Sequence, residues 1–330
     1  MSRDPLEEAV FVDRAAADPE APVTPFVQLQ RVVVRMLFDP AFVRQMYDDT
    51  AAALSGLEVD SSLVEQLLRN DRRLWNADRL RRTRSLKILL EEFKVSSTLA
   101  LAECGRLSFL DAFFGSRHFH EAVQKRRYMA LAYSAYLEEA LSNGTLRSLH
   151  LQATLALESA MARSRRALRE ANRGRDAALA PVTPGQPGKR WVVQPGVASH
   201  FTPIGTIAVV QRIEKYLFEV AQVPALALCE DAPRPEPLPA LDLDESSRQP
   251  FLLEPQPGGK VELSEVGAGY ARVVAACVRP VGRDELGRTV AGAGTPSEEA
   301  AEMAESLAEA GVLRAVDVDR DGKVFLADGA

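Results

Sequence analysis

Histidine and cysteine, which serve often in catalysis and in metal binding, are few in this chain. The histidines and cysteines are His118, His120, His150, His200, Cys104, Cys229 and Cys277. His118 and His120 are two residues apart at a predicted helix start, so their side chains should point apart rather than share a metal. The sequence has no HExxH motif and no paired CxxC, and Cys229 has no neighbouring base to activate it. We therefore predict no catalytic residue and no metal site in this chain.

An acidic repeat near residue 320 copies the first half of a calcium-binding loop. Aspartates alternate with other residues over 317–321 and are followed by Gly322, which is the spacing of EF-hand ligands. Position twelve of such a loop would be Asp328 rather than glutamate. Apolar residues alternate on both sides of the repeat, so we expect a hairpin of strands Leu313–Val318 and Val324–Leu326.

Arginine-rich and phenylalanine-rich stretches are the other candidates for function. Arginines are concentrated in 69–87 and 163–175; these runs are either solvated helix faces paired to nearby acids or a surface that docks a partner protein. Neither run has the interleaved aromatic residues that bind nucleic acid. The stretch 109–119 is either an aromatic core at a helix corner or a docking surface. The candidate partner-docking residues are Arg79, Arg82, Phe113, Phe114 and Phe119.

Helices must position most of these residues. The composition, 46% hydrophobic and 26% charged, is that of a globular protein with a sizeable core. No apolar run approaches the length of a membrane helix, and residues 1–14 lack the apolar region of a secretory signal. Together with three widely spaced cysteines, this indicates a cytoplasmic protein without a membrane partner. Apolar spacing predicts helices at Phe26–Phe38, Ala41–Met46, Ser61–Asn70, Arg72–Glu92, Val95–Cys104, Leu107–Phe113, Phe119–Leu141 and Thr145–Ala171.

Stretches rich in proline and glycine divide the chain into segments. The predicted division is a loose segment 1–24, a helical bundle 25–172, a linker 173–190, a strand–helix segment 191–235 that completes the bundle's domain, a linker 236–250 and a small domain 251–330. Within 191–235, we predict a strand at Trp191–Val193, a turn at His200–Thr206 and a helix at Ile207–Val220.

The segment 251–330 has the pattern of a β-hairpin followed by three helices. Short apolar runs flank Glu254–Lys260, whose prolines and glycines favour chain reversal. Helical spacing follows in 266–277, in Val281–Val290 and in Ser297–Ala310. With the terminal strands, the predicted fold class is α+β: an N-terminal all-α helical bundle followed by a small winged-helix-like domain.

The charge of this end of the chain disfavours DNA as its ligand. Residues 230–330 hold 10 Lys and Arg against 20 Asp and Glu, a net charge of −10 within a chain of net charge −6. A DNA-binding surface should be basic, because neutralising phosphates supplies most of the affinity. A winged-helix transcription regulator with a helical effector or dimerisation domain is therefore the alternative rather than the preferred interpretation.

The C-terminal sequence carries a resemblance to a known family. The runs are VELSEVGAGYARVVAACVRPVGRDELGRTV and EAAEMAESLAEAGVLRA. They resemble the small recognition domains of ribosomal peptide biosynthesis, of which the pyrroloquinoline-quinone peptide chaperone is a relative, over roughly residues 251–315. The resemblance implies that a leader peptide adds as a strand at the hairpin's edge, beside the third helix. The implied peptide-binding residues are Lys260, Val261, Glu262, Leu263, Ser264, Glu299, Met303 and Leu307.

A second resemblance covers about residues 25–235. The segments are LQRVVVRMLFDPAFV, LDAFFGSRHFHEAVQKRRYMALAY and PIGTIAVVQRIEKYLFEV. They resemble the partner subunit of multinuclear non-haem iron oxidative enzymes, of which the methanobactin-type partner is an example. The resemblance implies a non-catalytic subunit without a cofactor of its own. The partner enzyme would hold the iron and modify a precursor peptide, at cysteine or another side chain.

Overall fold

The computed structural model shows an α+β protein with two small antiparallel sheets. It describes residues 25–57, 59–76, 80–125, 127–174, 187–220, 241–291 and 296–326. The predicted segment 1–24, Cys229, Arg79 and Asp328 lie outside these ranges, as do residues 175–186 and 236–240 of the two predicted linkers.

Helices make up the N-terminal part as the sequence predicted. They are α1 (Pro25–Phe38), α2 (Pro40–Asp48), α3 (Thr50–Ala53), α4 (Ser61–Leu68), α5 (Arg81–Glu92), α6 (Lys94–Cys104), α7 (Leu107–Asp111), α8 (Arg117–Gln124), α9 (Met129–Ser142) and α10 (Leu149–Ala171), with 3-10 turns at Arg72–Asn76 and Ala112–Gly115. Asp39 caps α2, as its oxygen Oδ1 accepts the N–H groups of Ala41 and Phe42 at 3.0 Å.

Two predicted long helices are each broken in the structure. The predicted helix Arg72–Glu92 begins as a 3-10 turn, and its α-helical part is Arg81–Glu92. The predicted helix Phe119–Leu141 is divided into α8 and α9, and the N–H of Arg127 reaches back to the carbonyl of Ala122. Neither break contains a proline or a glycine. The helical spacing of apolar residues therefore predicted an unbroken helix at both places.

The rest of the described chain contains six strands and four helices. They are β1 (Gly188–Val193), β2 (Ala198–Ile204), α11 (Thr206–Val220), β3 (Asp244–Pro255), β4 (Val261–Glu265), α12 (Ala268–Ala276), α13 (Arg283–Ala291), α14 (Ser297–Glu309), β5 (Leu313–Val318) and β6 (Val324–Leu326). The predicted terminal hairpin, β5 and β6, is confirmed, and its turn is tied by Asp319, whose Oδ1 accepts the N–H groups of Asp321 and Lys323.

The strands form two three-stranded sheets, in the orders β1-β5-β6 and β2-β3-β4. Three predictions are corrected here. His200–Thr206 is mostly strand rather than turn, residues 244–250 are strand rather than linker, and residues 188–190 are strand rather than linker. Pairing explains the differences, because polar stretches with prolines are held extended by the strand beside them. Ala198–Pro203 pairs residue by residue with Arg248–Leu253.

The described residues divide into two compact units. The sheet unit holds those at 156–207 and from 242 onward, and the helical unit holds those at 25–155 and 208–220, with residue 241. The predicted division instead placed all of 191–235 with the bundle. In the structure, β1 pairs with β5 and β2 pairs with β3, so both strands belong with the C-terminal elements.

Two apolar layers hold the sheet unit together, one on each face of β2-β3-β4. Leu252 of β3 packs in a core with residues of α12, α13 and α14, including Val273, Leu286 and Ala304. The next residue of β3, Leu253, points to the other face, where it packs with Ala160 of α10. The sheet therefore lies between helix α10 and the three C-terminal helices.

Candidate functional site

The outer edge of β4 is the main candidate site. Among the described residues β4 pairs with β3 alone, so one side of its backbone has no strand beside it. The hydrogen bonds from Gln256 N to Lys260 O, 2.7 Å, and from Val266 N to Pro250 O, 3.2 Å, fix which residues face β3. Antiparallel pairs alternate, so Glu262 and Ser264 bond to β3.

The same alternation identifies the groups at the open edge. Val261, Leu263 and Glu265 pair across from Pro255, Leu253 and Phe251. These are the pairs that exchange no hydrogen bonds, so their N–H and C=O groups point away from β3. An extended peptide could pair with these groups, which is how peptides add to exposed sheet edges.

Side chains of β4 alternate between the two faces of the sheet. Val261 is buried in one apolar cluster with Ala160 of α10, and the partly buried Leu263 and Met161 pack against this cluster. Glu262 and Ser264 are exposed on the face of the three helices, and Lys260 is exposed at the turn. All five predicted residues of the hairpin thus lie at the open strand or its turn.

The predicted residues of the third helix differ in what they offer. Leu307 is only 7% exposed and belongs to the core beneath α14, so it is not available as a peptide anchor. This corrects the sequence prediction, since the helical stripe that suggested an anchor is the face that packs inward. Met303 is partly buried, and Glu299 is exposed. The main packing partners of α14 are α12, α13 and β5.

Helix α10 brings arginines to the β4 side of the sheet, which the sequence did not reveal. The contact that shows this is at the β3–β4 turn, where Nη2 of Arg169 is 4.0 Å from the position a Cβ would take on Gly259. Arg165 is one helical turn before Arg169 and one turn after Met161. The spacing of 161, 165 and 169 was visible in the sequence, but the neighbouring strand was not.

The predicted docking phenylalanines form a core instead of a surface. Phe113, Phe114 and Phe119 are at most 3% exposed. Their ring centroids lie 5.3 to 5.6 Å from one another, and Phe38 and Tyr133 pack against the same cluster. The aromatic-core interpretation of this stretch is therefore correct, and the docking interpretation is corrected: these side chains are not available to a partner.

Arg82 makes a structural ion pair. Its Nε is 3.0 Å from Asp111 Oδ1, and its Nη2 bonds both Oδ2 and the main-chain carbonyl of Asp111. This two-pronged geometry joins α5 to α7. Arg82 is thus already paired, and Arg79 lies outside the described residues.

His118 and His120 contact different acidic residues, in line with the prediction that their side chains point apart. Nε2 of His118 is 2.6 Å from Glu139 Oε2, whereas Nε2 of His120 is 3.7 Å from Asp39 Oδ2. Burial lowers the pKa of His120 to about 4, with a further contribution from Arg35. In the described part of the chain, no group of three His, Cys, Asp or Glu side chains could hold a metal ion.

Two further titratable groups are buried in the sheet unit. Burial, with Arg163 and Arg248 nearby, lowers the pKa of His200 on β2 to about 4. Burial raises the pKa of the Cys277 thiol to about 12. Both groups are therefore uncharged near neutral pH, and Cys277 is a poor nucleophile there.

Comparison with protein-family models, with curated proteins and with solved structures finds no match to this chain. Among the described helices, none is both long enough and apolar enough to cross a bilayer.

Proposed function

We propose that this protein is a non-catalytic subunit that binds the leader of a ribosomally made precursor peptide. The observation that carries the proposal is the open edge of β4, which presents the N–H and C=O groups of Val261, Leu263 and Glu265. Strand addition at such an edge gives affinity through the main chain, while side-chain pockets give specificity. The sheet β2-β3-β4 is followed by α12, α13 and α14, the order expected of a winged-helix-like peptide recognition domain.

The helical unit would dock on a multinuclear non-haem iron oxidative enzyme. This part of the proposal rests on the sequence resemblance over residues 25–235. The iron enzyme would modify the peptide, and this subunit would raise the local concentration of the peptide at the enzyme. Because Phe113, Phe114 and Phe119 are buried inside the unit and Arg82 is already paired with Asp111, we propose that the docking surface is formed mainly by other residues.

A winged-helix DNA-binding protein is the second candidate. The order that favours it is α12, α13 and α14 followed by the β5–β6 hairpin, which resembles a wing. The helix that would enter the DNA groove is α14, whose exposed residues include Glu298, Glu299, Glu302, Glu305 and Glu309. Such a surface would repel phosphates. A strongly salt-dependent mobility shift with duplex DNA would favour this candidate.

Purification from the native cell tests the proposal. The tagged protein is isolated under mild conditions, and intact complexes are weighed by mass spectrometry and analysed for iron. We expect an approximately stoichiometric iron-containing protein together with a short peptide. Three results would contradict the proposal. The protein could be recovered without any partner, as a homodimer with no other component, or with DNA as its only partner.

A further inference from the structure

The surroundings of β4 bear on the chemistry of the peptide that would add to it. Helix α10 lies over the sheet β2-β3-β4, and Ala160 packs against Ala198 of β2, Leu253 of β3 and Val261 of β4. Ser164 Oγ bonds the carbonyl of Gly196 at 2.6 Å. The stripe of α10 that contains Ala160 and Ser164 therefore faces the sheet.

The two flanks of α10 point to opposite edges of this sheet. Arg163 precedes Ser164 and Arg165 follows it, so these two arginines lie on opposite flanks of the stripe that faces the sheet. Arg165 and Arg169 lie on the flank opposite Arg163, since successive helix residues are about 100° apart. The 4.0 Å approach of Arg169 to the Cβ position of Gly259, in the β3–β4 turn, agrees with this placement.

The open edge of β4 is thus flanked by a stripe of one apolar and two basic residues. Met161, Arg165 and Arg169 follow one another at intervals of four along α10, which corresponds to a rise of about 6 Å each. Alternate residues of a β-strand are about 6.8 Å apart. Three alternate side chains of an added strand therefore match the three residues of the stripe.

We infer that the peptide added to β4 is acidic on its α10 side, with an apolar residue opposite Met161 and carboxylates at the next two alternate positions, opposite Arg165 and Arg169. This rests on the proposed function. Both arginines also interact with other groups of the chain, and carboxylates can bind them in addition because each guanidinium has five N–H donors. Glu265 stands at the other end of β4, so a carboxylate there would be repelled.

Synthetic peptides test the inference with the full chain. Two acetylated, fluorescein-labelled peptides carry Leu, Glu and Glu at alternate positions between threonines, in the two possible orders. Matched peptides have Lys in place of Glu. Fluorescence anisotropy should show one acidic peptide binding about five- to tenfold more tightly than its Lys counterpart, as expected for two exposed ion pairs. The preference should weaken as salt is raised.

Variants of α10 test whether Arg165 and Arg169 cause the preference for acidic peptides. The double variant Arg165→Gln/Arg169→Gln should abolish the preference, and Arg165→Lys/Arg169→Lys, which keeps the charge, should retain most of it. The control Arg163→Gln/Arg166→Gln makes the same charge change on other faces of α10 and should leave the preference intact. Loss of the preference in this control would overturn the inference, because general charge would then be responsible.

The results separate this inference from the proposed function. Equal binding of acidic and basic peptides that is weakened by Glu265→Pro would overturn the acidic preference but leave strand addition standing. Tighter binding of the Lys peptides would likewise overturn it. Binding of none of the peptides at millimolar concentration would overturn the inference and the proposed peptide site together.

Discussion

Proline at position 265 is the sharpest perturbation of the proposed peptide site. Glu265 is exposed, and its N–H points to the open edge of β4 rather than to β3. Proline there removes one outward donor and leaves the β3–β4 ladder intact. Val261→Pro also removes an outward donor, but Val261 is only 5% exposed and packs under α10, so that variant would also disturb the core.

The expected loss of peptide affinity follows from the main-chain hydrogen bonds that proline would remove. One lost main-chain hydrogen bond is worth about 1 kcal/mol, or about fivefold in Kd. The proline ring also occupies the space where the added strand must approach, and displacing a second hydrogen bond would bring the loss to about 2 kcal/mol, about thirtyfold. The free energy of unfolding should change by about 0.5 kcal/mol or less, since an exposed edge position makes no ladder bond.

Titration calorimetry with the peptide that copurifies from the native cell is the appropriate assay. Glu265→Thr is the matched control, because it removes the carboxylate and keeps the N–H. We expect Glu265→Thr to bind like the native protein and Glu265→Pro to bind about five- to thirtyfold more weakly. Equal affinities of the two variants, with both folded by circular dichroism, would refute pairing at this edge.

Three other predictions concern stability and reactivity. Arg82→Gln should lower the free energy of unfolding by about 1–2 kcal/mol in urea, and a double-mutant cycle with Asp111→Asn should show coupling; additive losses would contradict the pairing. The pKa of His200 is lowered from 6.5 to about 4 in the folded protein. Between these two pH values His200 is therefore protonated in the unfolded chain and neutral in the folded one. Stability should therefore fall by about 2 kcal/mol from pH 7.5 to pH 5 on its account, and His200→Gln should show a correspondingly smaller fall. Cys277, with its pKa raised to about 12, should resist alkylation at pH 8 until the protein is unfolded, whereas half-buried Cys104 should react before Cys277 does. Rapid labelling of Cys277 in the native protein would contradict its burial.

Local chemistry was enough to predict much of the fold. Apolar residues three and four apart located most helices, and the prolines and glycines of 255–259 located the β3–β4 turn. Asp319 to Gly322 located the second hairpin. These features depend on neighbours in sequence, which is why a pattern can reveal them.

Other parts of the structure depend on distant neighbours. Strand β2 contains Pro203 and is followed by Gly205, so it has the composition of a turn, and only pairing with β3 makes it a strand. The phenylalanines at 113, 114 and 119 had two possible roles in the sequence, and packing with Phe38 and Tyr133 decided for the core. The prediction that Leu307 is a peptide anchor was wrong for the same reason. Apolar residues at helical spacing identify an apolar face, but they do not show whether the protein's own core or a ligand covers it.

The sequence by itself determined most helical and hairpin segments, the acidic balance of 230–330 and the small number of histidines and cysteines, since each follows from residue type and spacing. Only the tertiary structure decided that, among the described residues, no strand pairs with the outer edge of β4 and that Arg169 of α10 approaches the β3–β4 turn. The physical reason is that a strand lies at a sheet edge only if no other segment of the folded chain pairs with it. In the same way, Arg169 and Gly259 are about ninety positions apart in sequence and come close only in the folded chain.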